Sequence, residues 1–261
     1  GNSRGWLGEL LLKANPSEKD YFAVQGYTKS TLSKVRGSGL GLIDDVPYDF
    51  DSKSRTRSVI ATASAYYKHA FSDKKEFEAR LAYNYNKNNF DNDRTDTYST
   101  EEDGSFDDMY MQQMRNMRHS GQLQLDFNHI YSYYGSYGFG AHTSMTFDRL
   151  HQITDPASLY RNRNISQYVY AQWGTKLWKK LWVTPSVGLN AMWLKQGDFS
   201  KNYFLPRIIM DLVWQPNDAH SVSHKYQLTN DAASIRQLNP INTSADPLYK
   251  VIGNPRLKPQ T

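Results

Sequence analysis

The residues best suited to chemistry form an acidic run between positions 91 and 108, with Arg94 as its only basic residue. Its carboxylates are Asp91, Asp93, Asp96, Glu101, Glu102, Asp103, Asp107 and Asp108. Carboxylate oxygens are the ligands that Ca²⁺ prefers, but the spacing here does not match an EF-hand loop. Surface loops are also commonly charged because charge keeps them soluble. We therefore expect a solvated external loop and predict no metal-binding residues.

Histidines and nucleophiles form no catalytic pattern. The histidines lie apart, without the i, i+4 pair and acid of a zinc protease helix. No Gly-x-Ser-x-Gly elbow occurs, and a sequence without cysteine has no Cys nucleophile or Cys metal site. We therefore predict no catalytic residues and no cofactor. The histidines are His69, His119, His129, His142, His151, His220 and His224, of which positions 129 and 224 are predicted to lie at a membrane interface.

Composition narrows the class of protein. Only 39% of residues are apolar and the mean hydropathy is −0.73, whereas aromatic residues reach 14%. A disordered chain would share the polarity but not the aromatic content, and a helical membrane protein needs runs of about 18 or more apolar residues, which this sequence lacks. The net charge of +5 is scattered along the chain, so we predict no nucleic-acid partner.

A two-residue periodicity runs along most of the chain and predicts an all-β protein. From Gly121 to Tyr131, for example, Leu123, Leu125 and Phe127 alternate with polar residues. We predict about ten antiparallel strands of roughly 9 to 15 residues, which exceeds the 5 or 6 typical of soluble sheets and suits a tilted crossing of a bilayer. The segments are 6–13, 21–30, 59–71, 77–85, 121–131, 137–147, 168–177, 181–193, 203–214 and 222–229.

The connections predict an up-and-down transmembrane β-barrel, because short turns and long loops alternate along the chain. Lipid offers no hydrogen-bond partners, so a spanning sheet pairs its backbone internally and meets lipid with one face only. Short turns are predicted at 14–19, 72–75, 131–136, 179–180 and 215–219. Longer loops are predicted at 31–56, 87–114, 150–163 and 196–201.

The two faces of these strands carry different side chains. Aromatic residues near strand ends, as in the interfacial girdles of barrels, are Trp6, Tyr67, Phe71, Phe147, Trp178, Trp193 and Trp214. Charged residues on the other face are predicted to face the lumen. They could line a ligand path, but we expect them to pair with each other or with a plug. These residues are Glu76, Glu78, Arg80, Asp126, Lys176, Arg207 and Asp211. A group of tyrosines lies near one turn, and two roles explain it equally well: stacking on sugar rings or packing in the interfacial girdle. These tyrosines are Tyr131, Tyr133, Tyr134 and Tyr137.

The end of the chain carries a more specific signal. Residues 231–261 include Gly253-Asn254-Pro255-Arg256-Leu257-Lys258-Pro259. This Gly-Asn-Pro-x-Leu-Lys-Pro element resembles a segment of Bacteroidetes outer-membrane β-barrel proteins related to TonB-dependent receptors, which usually have Glu at the position of Gln260. In that family the segment is an external loop that leads to a further strand. We therefore expect residues 1–261 to be part of a single barrel domain, with further strands outside it.

The resemblance implies a function for the intact protein. It implies a receptor in the Gram-negative outer membrane that binds and takes up a nutrient, with no catalysis. It also implies outer-membrane lipid, a plug domain, the TonB system and a surface lipoprotein as partners, and it leaves the ligand-binding residues unknown.

Two alternatives share many of these features. The first is a soluble or secreted β-sheet module that binds a ligand such as a carbohydrate, although long strands and two unlike rims argue against a sandwich. The second is a barrel without transport, used for adhesion or assembly. Because ten strands leave open sheet edges, such a fragment would close on itself, pair with a second copy or belong to a larger barrel.

Overall fold

The computed structural model describes residues 1–43, 46–100, 104–153, 159–197, 199–229, 235–238, 240 and 250–258. These residues form one antiparallel sheet in which each strand pairs with the next along the chain. Within them, the first and last strands pair on one side only, so the sheet is an open part of a barrel. The strands are β1 (Asn2–Ser17), β2 (Asp20–Ile43), β3 (Val46–Ser72), β4 (Lys75–Thr100), β5 (Gly104–Ser132), β6 (Gly135–Gln152), β7 (Leu159–Leu177), β8 (Leu181–Gln196), β9 (Phe199–Asn217) and β10 (His220–Leu228).

The sheet buries its polar face and exposes its apolar face. Leu81, Val187 and Phe204 are 56%, 61% and 63% exposed. The buried polar side chains all lie on the opposite face, where Asp126 and Asp148 are 8% and 4% exposed. We name these two sides of the sheet the apolar face and the polar face. Water would disfavour this arrangement, whereas lipid outside and a polar interior favour it.

Strand register confirms that the predicted apolar positions share one face. Phe127 pairs with Phe139, and Ala171 pairs with Val187. The same alignment continues across all ten strands, so the alternation predicted from the sequence is confirmed. On β9, ten residue steps from Phe204 to Trp214 cover about 33 Å of strand, or about 25 Å of height at a tilt of about 40°. This matches the apolar band of an outer-membrane barrel.

The short turns lie where the sequence predicted them and form one rim, named here the short-turn rim. In four of them the residue before the turn accepts a hydrogen bond from the backbone N–H two residues later. Serine and asparagine favour turns by this contact. The accepting residues are Ser17, Ser72, Ser132 and Asn217. The fifth turn bends through Trp178 and Lys179, both with positive φ.

Two of the predicted long loops are wrong. Most of 31–56 and 87–114 is strand. β2 and β3 stay paired up to the cross-strand partners Ile43 and Val46, and β4 and β5 stay paired up to the partners Thr100 and Gly104. Strands therefore reach 29 residues, well beyond the predicted 15. Likewise 150–163 and 196–201 are mostly strand ends. The physical reason is that a hairpin beyond the membrane meets water on both faces, so its side chains lose the apolar alternation while its backbone still pairs.

A short helix, α1 (Ile235–Leu238), packs on the polar face near the rim opposite the short turns, named here the long rim. The Tyr160 hydroxyl donates to the carbonyl oxygen of Leu238 at 3.4 Å, and Asn254 N–H donates to the carbonyl of Gln237 at 2.6 Å. Most of the predicted external segment 231–261 lies outside the described residues, so that prediction stays open. No helix among the described residues is long and apolar enough to cross a membrane.

Candidate functional site

The polar face carries the charged residues that the sequence assigned to a lumen, and most of them are paired. Near the short-turn rim, Lys68 forms an ion pair with Glu76 and lies 3.7 Å from Glu78. Arg80 Nη2 lies 2.8 Å from Glu78 Oε2 and its guanidinium covers the ring of Tyr66 at 5.3 Å. The four charges compensate one another. This part of the polar face near the short-turn rim, named here the lower wall, therefore has its charged groups already paired and offers none to a charged ligand.

A second cluster crosses three strands at mid-height. The Tyr170 hydroxyl on β7 donates to Asp126 Oδ1 on β5 at 2.5 Å, and Gln124 Nε2 donates to Asp126 Oδ2 at 2.6 Å. Between them lies Gly140 on β6, where a Cβ atom would meet Asp126 Oδ1 at 2.5 Å and Tyr170 Cε1 at 2.6 Å. Glycine therefore leaves the space through which the tyrosine reaches an acid two strands away.

On the next strands, a glycine again leaves space for a tyrosine ring. A Cβ atom at Gly188 would overlap the ring of Tyr168, and across this glycine Arg207 stacks on that ring at 4.9 Å. Asp211 pairs with Lys225 at 3.7 Å. Together these side chains border a shallow polar depression of about 220 Å³ on the polar face. Arginine and tyrosine planes of this kind suit hydrogen-bonding, ring-shaped ligands.

A third cluster lies toward the long rim. Arg118 Nε donates to Asp148 Oδ1 at 2.5 Å, and Asn162 Nδ2 donates to Asp148 Oδ2 at 3.2 Å. Around this ion pair, the side-chain oxygens of Asn116, Asn162 and Asn164 are buried and accept no hydrogen bond in the protein. Buried amide oxygens without a protein partner are suited to donors from water or a ligand. This part of the polar face toward the long rim, named here the upper wall, is therefore the part best equipped to hold a polar molecule.

The long rim is partly covered by the chain itself. Tyr160 packs against Leu150 and donates a hydrogen bond to the backbone of Leu238 where α1 meets the sheet, and all three residues are buried. Burial, with a smaller contribution from the carboxylate of Asp148, raises the pKa of Tyr160 to about 12. The hydroxyl stays protonated and acts as a hydrogen-bond donor at neutral pH. The contact holds the segment after β10 against the upper wall.

The short-turn rim has an acidic centre on the apolar side of the sheet. Asp20 Oδ1 lies 2.7 Å from His69 Nδ1, and the Tyr67 hydroxyl donates to the same oxygen at 2.8 Å. Ser17 Oγ donates to Asp20 Oδ2 at 2.5 Å. The hydrogen bond from His69, followed by those from Ser17 and Tyr67, lowers the pKa of Asp20 to about 2. A carboxylate at this rim is therefore ionised throughout the physiological range.

The acidic run between 91 and 108 is a paired hairpin, so its prediction as a solvated loop is wrong in structure. Asp91 lies 2.6 Å from Arg115, Asp96 lies 2.6 Å from Arg94, and Asp107 accepts a hydrogen bond from a threonine. The carboxylates at 101–103 lie outside the described residues. Among the described residues, no three histidines or carboxylates are grouped as a metal ion would need.

The tyrosines and histidines near strand ends contact other aromatic residues. Trp173 Nε1 donates to the Tyr131 hydroxyl at 3.0 Å, and His129 Nδ1 lies 3.0 Å from the Tyr137 hydroxyl. These contacts lie on the apolar face at the short-turn rim, which favours girdle packing over sugar stacking. The predicted girdle aromatics are all exposed on the sheet surface, and this group comprises Trp6, Tyr67, Phe71, Phe147, Trp178, Trp193 and Trp214.

The sequence alone did not indicate the roles of the two tyrosines at 168 and 170 or the Arg118–Asp148 pair. For the two tyrosines, the signal was the placement of Gly138, Gly140 and Gly188 on the polar side of alternating strands. Inward glycines in a strand indicate that another group approaches closely. The sequence alone does not say which residue fills the space.

Comparison with protein-family models gives a match over residues 2–261 to the family described as TonB dependent receptor-like, beta-barrel. No curated protein matches the chain. The match agrees with the sheet, the register and the two unlike rims. A Bacteroidetes origin stays a prediction.

Proposed function

This chain belongs to the TonB-dependent receptor-like β-barrel family, and on that premise we propose that it is part of the barrel wall of an outer-membrane receptor that takes up a polar nutrient. The family consists of transporters rather than enzymes. The observation that carries the proposal is the reversed sheet, with exposed apolar residues on one side and hydrogen-bonding residues on the other. Such a wall supports a lipid-exposed exterior and an aqueous path inside.

The chemistry of the upper wall suggests what the nutrient presents. Three amide oxygens at 116, 162 and 164 accept no hydrogen bond in the protein, while Arg118 and Asp148 neutralise each other. A ligand rich in hydroxyl or N–H donors satisfies those oxygens, whereas a strongly charged ligand finds no excess charge there. We therefore favour a neutral, donor-rich nutrient such as an oligosaccharide or a short peptide.

The lower wall suggests where the family's plug domain lies. Its charges at 68, 76, 78 and 80 are already paired, and they are partly exposed on the polar face near the short-turn rim. A plug held by such a wall gains charge-assisted hydrogen bonds without leaving a buried charge unpaired. The family implies a plug and coupling to TonB in general, and we extend both to the intact protein.

The test is gene deletion and restoration in the source organism, with growth on single neutral oligosaccharides, on peptides and on chelated iron. The expected result is a defect on one oligosaccharide or peptide that the wild-type gene restores. Restoration with Asn116→Leu and Asn164→Leu, which remove two acceptors, is expected to raise the nutrient concentration needed for growth. A defect confined to chelated iron, or equal growth on every source together with no binding by the purified protein, would overturn this proposal.

A further inference from the structure

Basic residues form a belt on the apolar side of the sheet, just beyond the apolar band toward the long rim. Arg149 lies two residues beyond Phe147, and Lys195 lies two residues beyond Trp193. Because side chains alternate, both point to the same side as the lipid-facing aromatics. The same two-residue step joins Ile165 to Arg163, Trp6 to Arg4, Val59 to Arg57 and Tyr85 to Lys87. The belt therefore crosses most of the sheet at one height.

Four members of the belt lie together without an acidic partner. Arg149 is the cross-strand partner of Arg161, and Arg163 is the cross-strand partner of Lys195. Like charges directly opposite each other destabilise a sheet. Among the described residues none of the four forms an ion pair, whereas the neighbouring Arg115 pairs with Asp91. Each of the four is exposed. The cluster is thus a concentration of positive charge that an anion would stabilise.

The cluster surrounds a depression of about 680 Å³. Its lining includes the apolar side chains of Met117 and Phe147 as well as the four cations. Arg163 lies over the ring of Phe147 at 5.5 Å, so the cationic and the apolar parts of the lining contact each other. Asp148 also borders this depression, but its carboxylate lies on the polar face, where Arg118 binds it. A site of this composition suits a molecule that has both an anionic head and an apolar chain.

We propose that this depression binds the phosphate of a phosphorylated glycolipid in the outer leaflet of the outer membrane, with an acyl chain along Phe147. Charge complementarity and height support this occupant, because the headgroup region begins where the apolar band ends. Short turns face the periplasm in such barrels, so the belt lies at the outer leaflet. The proposal rests on membrane placement and is independent of the nutrient.

The test is a titration of the purified whole protein in uncharged detergent with bisphosphorylated lipid A, followed by native mass spectrometry. The comparison probes are the same glycolipid with its phosphates removed, phosphatidylglycerol and inorganic phosphate. The double variant Arg161→Gln/Arg163→Gln is expected to weaken lipid A binding by about 30-fold, since each cation near a lipid surface contributes about fivefold. The matched control, Lys74→Gln/Lys180→Gln, removes two exposed cations at the short-turn rim and is expected to leave binding unchanged.

Each outcome decides the proposal. Loss of binding with the phosphate-free glycolipid and with the arginine variant supports it. Equal binding of phosphatidylglycerol, or of inorganic phosphate alone, overturns the glycolipid assignment, as does an equal loss in the control. Heat-modifiable gel mobility shows first whether each variant folds. If the double variant does not fold, the comparison between phosphorylated and phosphate-free glycolipid on the wild-type protein, repeated at high salt, still decides the outcome.

Discussion

Replacing Gly140 with alanine tests the contact that joins three strands on the polar face. The added Cβ atom would lie 2.5 Å from Asp126 Oδ1, 2.6 Å from Tyr170 Cε1 and 2.8 Å from the carbonyl oxygen of Leu125. The first of these atoms accepts the hydrogen bond from Tyr170, the second belongs to the ring of Tyr170, and the third is backbone. The methyl group therefore displaces the tyrosine and breaks that bond.

The magnitude follows from two opposing effects. Losing a hydrogen bond to a charged group costs about 1.5–3 kcal/mol. Alanine instead of glycine in a strand returns about 0.5–1 kcal/mol by restricting the unfolded chain. We therefore expect Gly140→Ala to lower the free energy of unfolding by about 1–2 kcal/mol. Gly121→Ala is the matched control, because its Cβ atom would meet only the carbonyl of Ala82 at 4.0 Å, and it is expected to be neutral or slightly stabilising.

The assay is urea unfolding of the whole protein in lipid vesicles, followed by tryptophan fluorescence and heat-modifiable mobility. Tyr170→Phe removes the same hydrogen bond without the clash, so the two changes combined are expected to cost clearly less than the sum of their separate effects. Equal stability of Gly140→Ala and Gly121→Ala, or full additivity with Tyr170→Phe, would show that the methyl group does not break this hydrogen bond.

Three further predictions address the membrane face, the upper ion pair and the short-turn rim. Val187→Lys on the apolar face is expected to cost about 2–4 kcal/mol in vesicles, whereas Thr184→Lys on the polar face of the same strand, beside the polar depression, costs much less, as urea unfolding will show. Arg118→Met leaves the carboxylate of Asp148 buried and unpaired and is expected to cost about 3 kcal/mol, with Asp148→Asn in the same chain recovering part of the loss. Because the folded pKa of Asp20 is about 2, below its ordinary 3.8, its contribution to stability is present above about pH 4 and lost as pH falls through 2. Unfolding followed between pH 5 and 2 is expected to show a shallower pH dependence in Asp20→Asn than in the wild type.

The membrane part of the fold was predictable because lipid imposes a strict pattern. Every second residue between Tyr137 and Phe147 had to suit hydrocarbon, and that requirement is visible in the sequence. The extensions at 31–56 and 87–114 were not predictable in the same way. Both of their faces meet water, so nothing in their side chains distinguishes a paired hairpin from a loop. Backbone pairing with the neighbouring strand decides the structure there.

The polar face was only partly predictable for a related reason. Pairing of Glu78 and Arg80 was expected because residues two apart on a strand share a face. The contact of Tyr170 with Asp126 depends on register between strands that are not neighbours along the chain. Only the register of β5, β6 and β7 places a glycine between them. One sequence indicates where space is left but not what fills it.

The most direct test of a lipid-facing apolar side is the accessibility of single spin labels placed along β8 of the whole protein in lipid vesicles. The chain contains no cysteine, so single cysteines at 184, 187, 189 and 190 can be labelled in turn. The expected result is an alternation: labels at 187 and 189 collide with oxygen dissolved in lipid, and labels at 184 and 190 collide with a water-soluble nickel complex. Preference for the nickel complex at all four positions would contradict a lipid-facing apolar side and with it the outer-membrane barrel.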